Sequence, residues 1–172
     1  MDSNDRGKRS GYIIVGVVPH QSDLVVTQAA DLAADLGAEL VCAFVDRERY
    51  TASENPDGSV VAVPFDPDLP EFGEAEFDPV LAGHLEDVLR DRSVHWSLRA
   101  LAGEPVRALS HLADTLDARL IVVGTRDGAR SSIQEFFGGS LAVHLAHRQH
   151  RPVLVVPVAP IPHGEKLPWE RA

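Results

Sequence analysis

Cysteine, positive charge and long apolar runs are all scarce in this chain, and each scarcity excludes a class of protein. Cysteine occurs once in 172 residues, as Cys42. A lone thiol closes no internal disulfide, and its apolar setting, ELVCAFV, marks a small core residue rather than a nucleophile. Lys and Arg number 16 against 26 Asp and Glu, for a formal net charge of -10. General binders of nucleic acid or anionic membranes need clustered cations to neutralise phosphates, so neither partner is expected. No stretch is apolar for long enough to span a bilayer. The opening MDSNDRGKRS lacks the apolar core of a signal peptide, so a cytoplasmic protein is expected. Three nucleotide and nucleophile motifs are also missing. There is no Gly-Lys-Ser/Thr after a glycine loop, no glycine-rich dinucleotide fingerprint in the first crossover, where Gly16 stands alone, and no Gly-x-Ser-x-Gly elbow.

A hydrophobic content of 44% with 24% charged residues suits one globular domain with a real core. YIIVGVV, from Tyr12, reads as a buried central strand stopped by Pro19. Ser22 or Asp23 can cap the helix whose apolar positions are Val25, Ala29, Leu32, Ala33 and Leu36, and Gly37 is placed to end it. Leu40 to Val45 gives the next strand. Residues 46–79 are rich in Asp, Glu, Pro and Gly and are expected to be an irregular, protease-sensitive insertion, in which SVVAVPF forms at most a short strand or flap. Its carboxylates lack the order of a calcium loop and read as a solvated acidic surface. Asp78 or Glu76 begins a helix through Val80, Leu81, Leu85, Val88 and Leu89. Val94 to Leu101 alternates as an edge strand, and GEPVRALSHLADTLDA is a helix with Pro105 in its first turn.

The stretch from Ala118 to Val158 organises the rest. It reads as a buried strand (Leu120 to Val123), a glycine-punctuated loop, an amphipathic helix and a second buried strand (Val153 to Val156), a βαβ unit. Gly124, Gly128 and the Gly138-Gly139-Ser140 run let backbone approach a ligand closely. Free N–H groups at the helix start, the Ser140 hydroxyl, Arg126 and Arg130 together suit a phosphate.

At these residues the chain resembles the universal stress protein family. The family's nucleotide-binding members carry Gly, two residues, Gly, nine residues, then Gly with Ser or Thr after their fourth strand. Here Gly128 follows Gly124 by four positions and the Gly-Ser pair is Gly139-Ser140, so the loop is about two residues longer than the pattern. The Gly-x-Pro opening at Gly103 and the strand LIVVG match as well, so the resemblance covers about Gly11 to Val158. It implies a three-layer α/β/α sandwich around a five-stranded parallel sheet of order 3-2-1-4-5, the architecture of the adenine nucleotide alpha hydrolase-like group. Ligands in open sheets of this kind bind where the strand order reverses, outside the carboxyl ends of strands one and four. The resemblance also places the family's nucleotide-holding Asp at Val18. A valine accepts no hydrogen bond, so a nucleotide would use His20, Gln21 or Ser22 instead. The candidate contacts for ATP or another adenine nucleotide are Val18, His20, Ser22, Val45, Gly124, Thr125, Arg126, Gly128, Arg130, Gly139 and Ser140.

No catalytic residue and no resident metal are expected. His144, His147 and His150 recur every third residue near the end of the last helix, where cations favour the macrodipole. No carboxylate or cysteine lies nearby in sequence to complete a ligand set. The domain is expected over residues 11–158, after a flexible N-terminus (1–10) and before a proline-rich tail (159–172). Two functions fit. One is a regulatory, stress-adaptation module working through a homodimer and a further protein partner. The other is an adenine-nucleotide-binding enzyme acting at the α-phosphate. VLVV at a sheet edge has no charge to blunt pairing, so the dimer is expected through Val153 to Val156.

Overall fold

Residues 11–66, 73–125, 141–158, 160 and 162–164 are described by a computed structural model of the chain. The N-terminus over 1–10 and most of the tail over 159–172 lie outside the described residues. Strands β1 (Tyr12–Val17) and β2 (Glu39–Asp46) flank helix α1 (Asp23–Asp35). Then come β3 (Arg49–Glu54), β4 (Val60–Pro64), β5 (Gly73–Glu74) and α2 (Pro79–Leu89). The chain continues with β6 (Trp96–Ala102), α3 (Pro105–Thr115), β7 (Leu120–Gly124), α4 (Leu141–Arg148) and β8 (Val153–Val156).

The main sheet has five strands in the order β6-β2-β1-β7-β8, and every pairing in it is parallel. Counted along that sheet alone, the order is the expected 3-2-1-4-5. β1 lies at its centre with Ile13, Ile14 and Val15 fully buried, because helices cover both faces and leave no polar side. Helices α1 and α2 cover one face, where Val15, Leu40, Cys42 and Val122 pack with Val25, Ala29, Leu81, Leu85 and Leu89. Helices α3 and α4 cover the other, against Ile14, Val41, Ile121 and Val123. Each fully buried Ile or Leu contributes about 2 kcal/mol.

Local chemistry sets the helix boundaries. Ser22 is the N-cap of α1, and Gly37 ends that helix in the left-handed region at φ 61°. Asp78 caps α2 through the Leu81 N–H at 2.7 Å, and Pro79 follows at a position that needs no donor. Glu104 caps α3 by accepting from the Val106 and Arg107 N–H groups, each at 2.9 Å. Of the α2 positions read as apolar, Leu81, Leu85 and Leu89 face inward, whereas Val80 is exposed. β6 is an edge strand that, among the described residues, pairs with β2 alone, and most of its residues are half-buried.

The largest departure from the sequence reading lies in residues 46–79. In place of an irregular insertion, β3, β4 and β5 form a second, antiparallel three-stranded sheet. The turn Asn55-Pro56-Asp57-Gly58 joins its first two strands, with the Gly58 N–H donating to the Asn55 carbonyl at 3.0 Å. This sheet packs on α3 and β6, and Val60 and Ala62 join the same core cluster as Leu101, Val106, Leu109 and Leu112. Polar ties reinforce the contact. Glu54 accepts from Thr115 Oγ1 at 2.8 Å and pairs with His111, while Arg99 Nε donates to the Asp57 carbonyl at 3.0 Å. Proline does keep helix out of this segment. It does not keep out a hairpin.

β8 lies at the opposite edge of the main sheet. Arg151, just before it, donates from Nε to the Ala118 carbonyl at 2.6 Å and pairs with Asp114 and Asp117. Leu154 and Val155 are exposed, whereas Val156 is buried. His144, His147 and His150 are all exposed. His147 and Arg148 sit in the last turn of α4, where positive charge complements the helix dipole.

Candidate functional site

The order of the main sheet reverses beside β1, which has β2 on one side and β7 on the other. Each strand ends in the same direction, so the chain leaves β1 and β7 along one rim and opens a crevice there. Register determines what lines it. Val17 pairs with Phe44 and Val15 with Val122. Val18 and Val45 directly follow the paired Val17 and Phe44, and Gly124 ends β7, with Thr125 next, on the other side of β1. Val18 is 56% exposed and Val45 half-buried, so the two valines give the rim an apolar floor.

The loop from β1 to α1 is held by its own bonds. The Gln21 N–H donates to the Val18 carbonyl at 3.3 Å, and the Val18 N–H donates back to Gln21 Oε1 at 3.1 Å. His20 between them has φ 61°, a conformation unusual for a residue with a Cβ and enriched at sites where structure imposes it. Its ring is exposed. Ser22 has a structural task, since its Oγ accepts from the Leu24 N–H at 3.4 Å as the cap of α1. Gln21 Nε2 is buried and, among the described residues, has no hydrogen-bond partner.

Gly124 ends β7 under close packing. A Cβ there would stand 2.6 Å from Val25 Cγ2, 3.4 Å from Val158 Cγ2 and 3.6 Å from Gln21 Nε2. Only glycine lets α1 approach the end of β7 this closely. Thr125 clamps the end of β8: its N–H donates to the Val156 carbonyl at 2.9 Å, and its Oγ1 accepts from the Val158 N–H at 2.8 Å. Both residues thus shape the rim as well as bordering it. Arg126, Gly128, Arg130, Gly139 and Ser140, the expected phosphate contacts, lie outside the described residues.

The described half of the crevice has Val18, Val45, Gly124 and Thr125 at or just past the ends of three adjacent strands, with His20 and Ser22 in the adjoining loop. Val18, Val45 and Gly124 present no charge, so this half suits the flat apolar face of a base better than a phosphate. The nearest carboxylate along β2, Asp46, is engaged: it accepts from the Glu48 N–H at 2.8 Å and pairs with Arg49 at 3.6 Å. Burial pushes the Cys42 thiol up to about 12, which leaves it protonated and inert at neutral pH. Two surface pairs, His84 with Asp23 at 2.6 Å and His111 with Glu54, join separate elements. Among the described residues no three His, Cys, Asp or Glu side chains gather as metal ligands. No described helix is long and apolar enough to cross a membrane.

Sequence reasoning left Gln21 out of the candidate contacts, naming it only among three loop residues that could replace an Asp. The signal was a polar residue in the loop after the central strand. Its tie to Val18 and its position over Gly124 come from contacts between β1, α1 and β7 that no local pattern encodes.

The model of the universal stress protein family matches residues 11–157. Among solved structures, a universal stress protein in complex with cAMP is 24% identical with a TM-score of 0.57, covering 88% of this chain and 99% of that one. A universal stress protein from Archaeoglobus fulgidus in complex with dAMP is 18% identical with a TM-score of 0.54, covering 86% of this chain and 98% of that one. A protein of the family from Burkholderia pseudomallei is 22% identical with a TM-score of 0.53, covering 88% and 98%. No curated protein matches the chain. At such identities the solved structures speak for the fold, while the family match runs through every strand of the main sheet and both walls of the crevice: the chain belongs to the universal stress protein family.

Proposed function

We propose that this universal stress protein is a nucleotide-responsive regulatory module, binding an adenine nucleotide in the crevice between the carboxyl ends of β1 and β7. The observation that supports the reading is that Val18, Val45, Gly124 and Thr125 stand at or just beyond the carboxyl ends of three adjacent strands, where the strand order reverses. The apolar floor would take the base. The glycine-rich segment that follows Thr125 in sequence, with Arg126, Arg130 and Ser140, would take the phosphates. That two relatives of the same fold are complexes with cAMP and with dAMP supports an adenine nucleotide as the ligand class. The module would act in the cytoplasm as a homodimer joined through β8.

Calorimetry with ATP and ADP tests the site. Binding in the micromolar range that weakens in Arg130→Ala and Ser140→Ala is the expected result. No binding, or binding indifferent to both substitutions, overturns the assignment. Appearance of AMP during incubation with ATP would favour an enzyme acting at the α-phosphate over a regulatory module.

A further inference from the structure

We infer that Gln21 is a ligand-reading residue of the crevice, its side-chain Nε2 donating a hydrogen bond to an acceptor of the bound nucleotide. The inference rests on the nucleotide reading above and adds a residue and a polarity to it. An amide offers an acceptor at one end and two donors at the other. The Val18 N–H can only donate, so the end it meets at 3.1 Å is Oε1. Nε2 is thereby turned away from the β1–α1 loop. It points toward Gly124, 3.6 Å from where a Cβ would stand on that residue. This is the switch point between β1 and β7, and Val25 and Val158 pack around the same glycine.

Nε2 is buried and has no partner among the described residues. A buried donor left in that condition is costly, and native structures retain few of them without a reason. The Val18 carbonyl accepts the Gln21 N–H and Thr125 Oγ1 accepts the Val158 N–H, and neither receives Nε2. A nucleotide supplies acceptors in phosphate oxygens, ribose oxygens and ring nitrogens. Val18 brings no polar side chain to this wall of the crevice, and Gln21, three residues on, brings a donor. The site is thereby suited to an acceptor atom on the ligand.

The test uses the full chain with Gln21→Leu and Gln21→Glu, titrated with ATP and with adenosine. Gln21→Glu keeps an oxygen for the Val18 N–H and loses the donor; Gln21→Leu loses both without adding charge. Both are expected to bind ATP about tenfold more weakly, the change that corresponds to about 1.4 kcal/mol. An equal loss with adenosine places the acceptor in the nucleoside half, and a loss confined to ATP places it on the phosphates. Free Gln21→Leu exchanges an unpaired Nε2 for an unpaired Val18 N–H, so it should melt close to the wild type, and its ligand-induced rise in Tm should shrink. Variants that bind ATP like a binding-competent wild type overturn the inference alone, as does a Leu variant that is destabilised without losing affinity. A wild type that binds neither ligand overturns the nucleotide reading and this inference together.

Discussion

Gly58→Ala puts the docking of the second sheet on α3 to a quantitative test. Gly58 closes the turn between β3 and β4 with φ +80°, and a Cβ there would stand 2.5 Å from Leu112 Cδ1. Two costs follow. A residue with a Cβ in the left-handed region costs about 1 kcal/mol. Forcing a methyl into the contact adds about 1–3 kcal/mol of overpacking, because Leu112 is 1% exposed and has little room to move aside. Together they predict a loss of about 3 kcal/mol, or about 6–12 °C in Tm for a chain of this length. Gly37→Ala is the control. Gly37 also has positive φ, at +61°, but nothing lies within 4 Å of its missing Cβ, so only the backbone cost of about 1 kcal/mol applies. Urea unfolding of both variants at neutral pH measures the difference. If Gly58→Ala costs no more than Gly37→Ala, the second sheet does not pack on Leu112 and the reasoning fails.

Two further predictions concern charge and assembly. Asp57 accepts from the Ser59 hydroxyl at 2.7 Å and the Ser59 N–H at 3.0 Å. These bonds, with Arg99 nearby, hold its carboxyl below the ordinary value of 3.8. A depressed carboxylate stabilises the fold above its unfolded pKa, and the contribution is lost as pH falls through the folded one. Asp57→Asn should therefore be less stable than the wild type at neutral pH, by no more than about 1 kcal/mol at so exposed a site, with the gap closing on acidification; a gap that persists or widens in acid refutes the cause. If β8 is a dimer strand, Val155→Lys places a charge on its exposed edge and should sediment as a monomer at micromolar concentration where the wild type is a dimer. A monomeric wild type, or a lysine variant that dimerises equally well, removes that interface.

What sequence alone determined here is what short-range chemistry governs. β-branched apolar runs placed four strands of the main sheet, and alternation over Val94 to Leu101 the fifth, each to within about two residues. Ser22, Asp78, Gly37 and Pro105 marked helix ends because each acts on its own turn. Cys42 read as core because its neighbours on both sides are apolar. The strand order came from the family resemblance, and the pairing register bears it out.

Of the second sheet only SVVAVPF was legible as a short strand, since RYTASE has no alternating pattern and four of its six residues are exposed. That strand is held by β4 and by contacts with α3 and β6, so its stability resides in residues distant along the chain. The crevice divides in the same way. Gly124 announced itself as a glycine, but the reason for it is Val25 arriving from α1. Gln21 became a donor with a direction only when the β1–α1 loop closed on Val18. Periodicity reports which side of an element faces a core. Which side chains then meet across elements is decided by packing, and the reading of this site depends on such meetings.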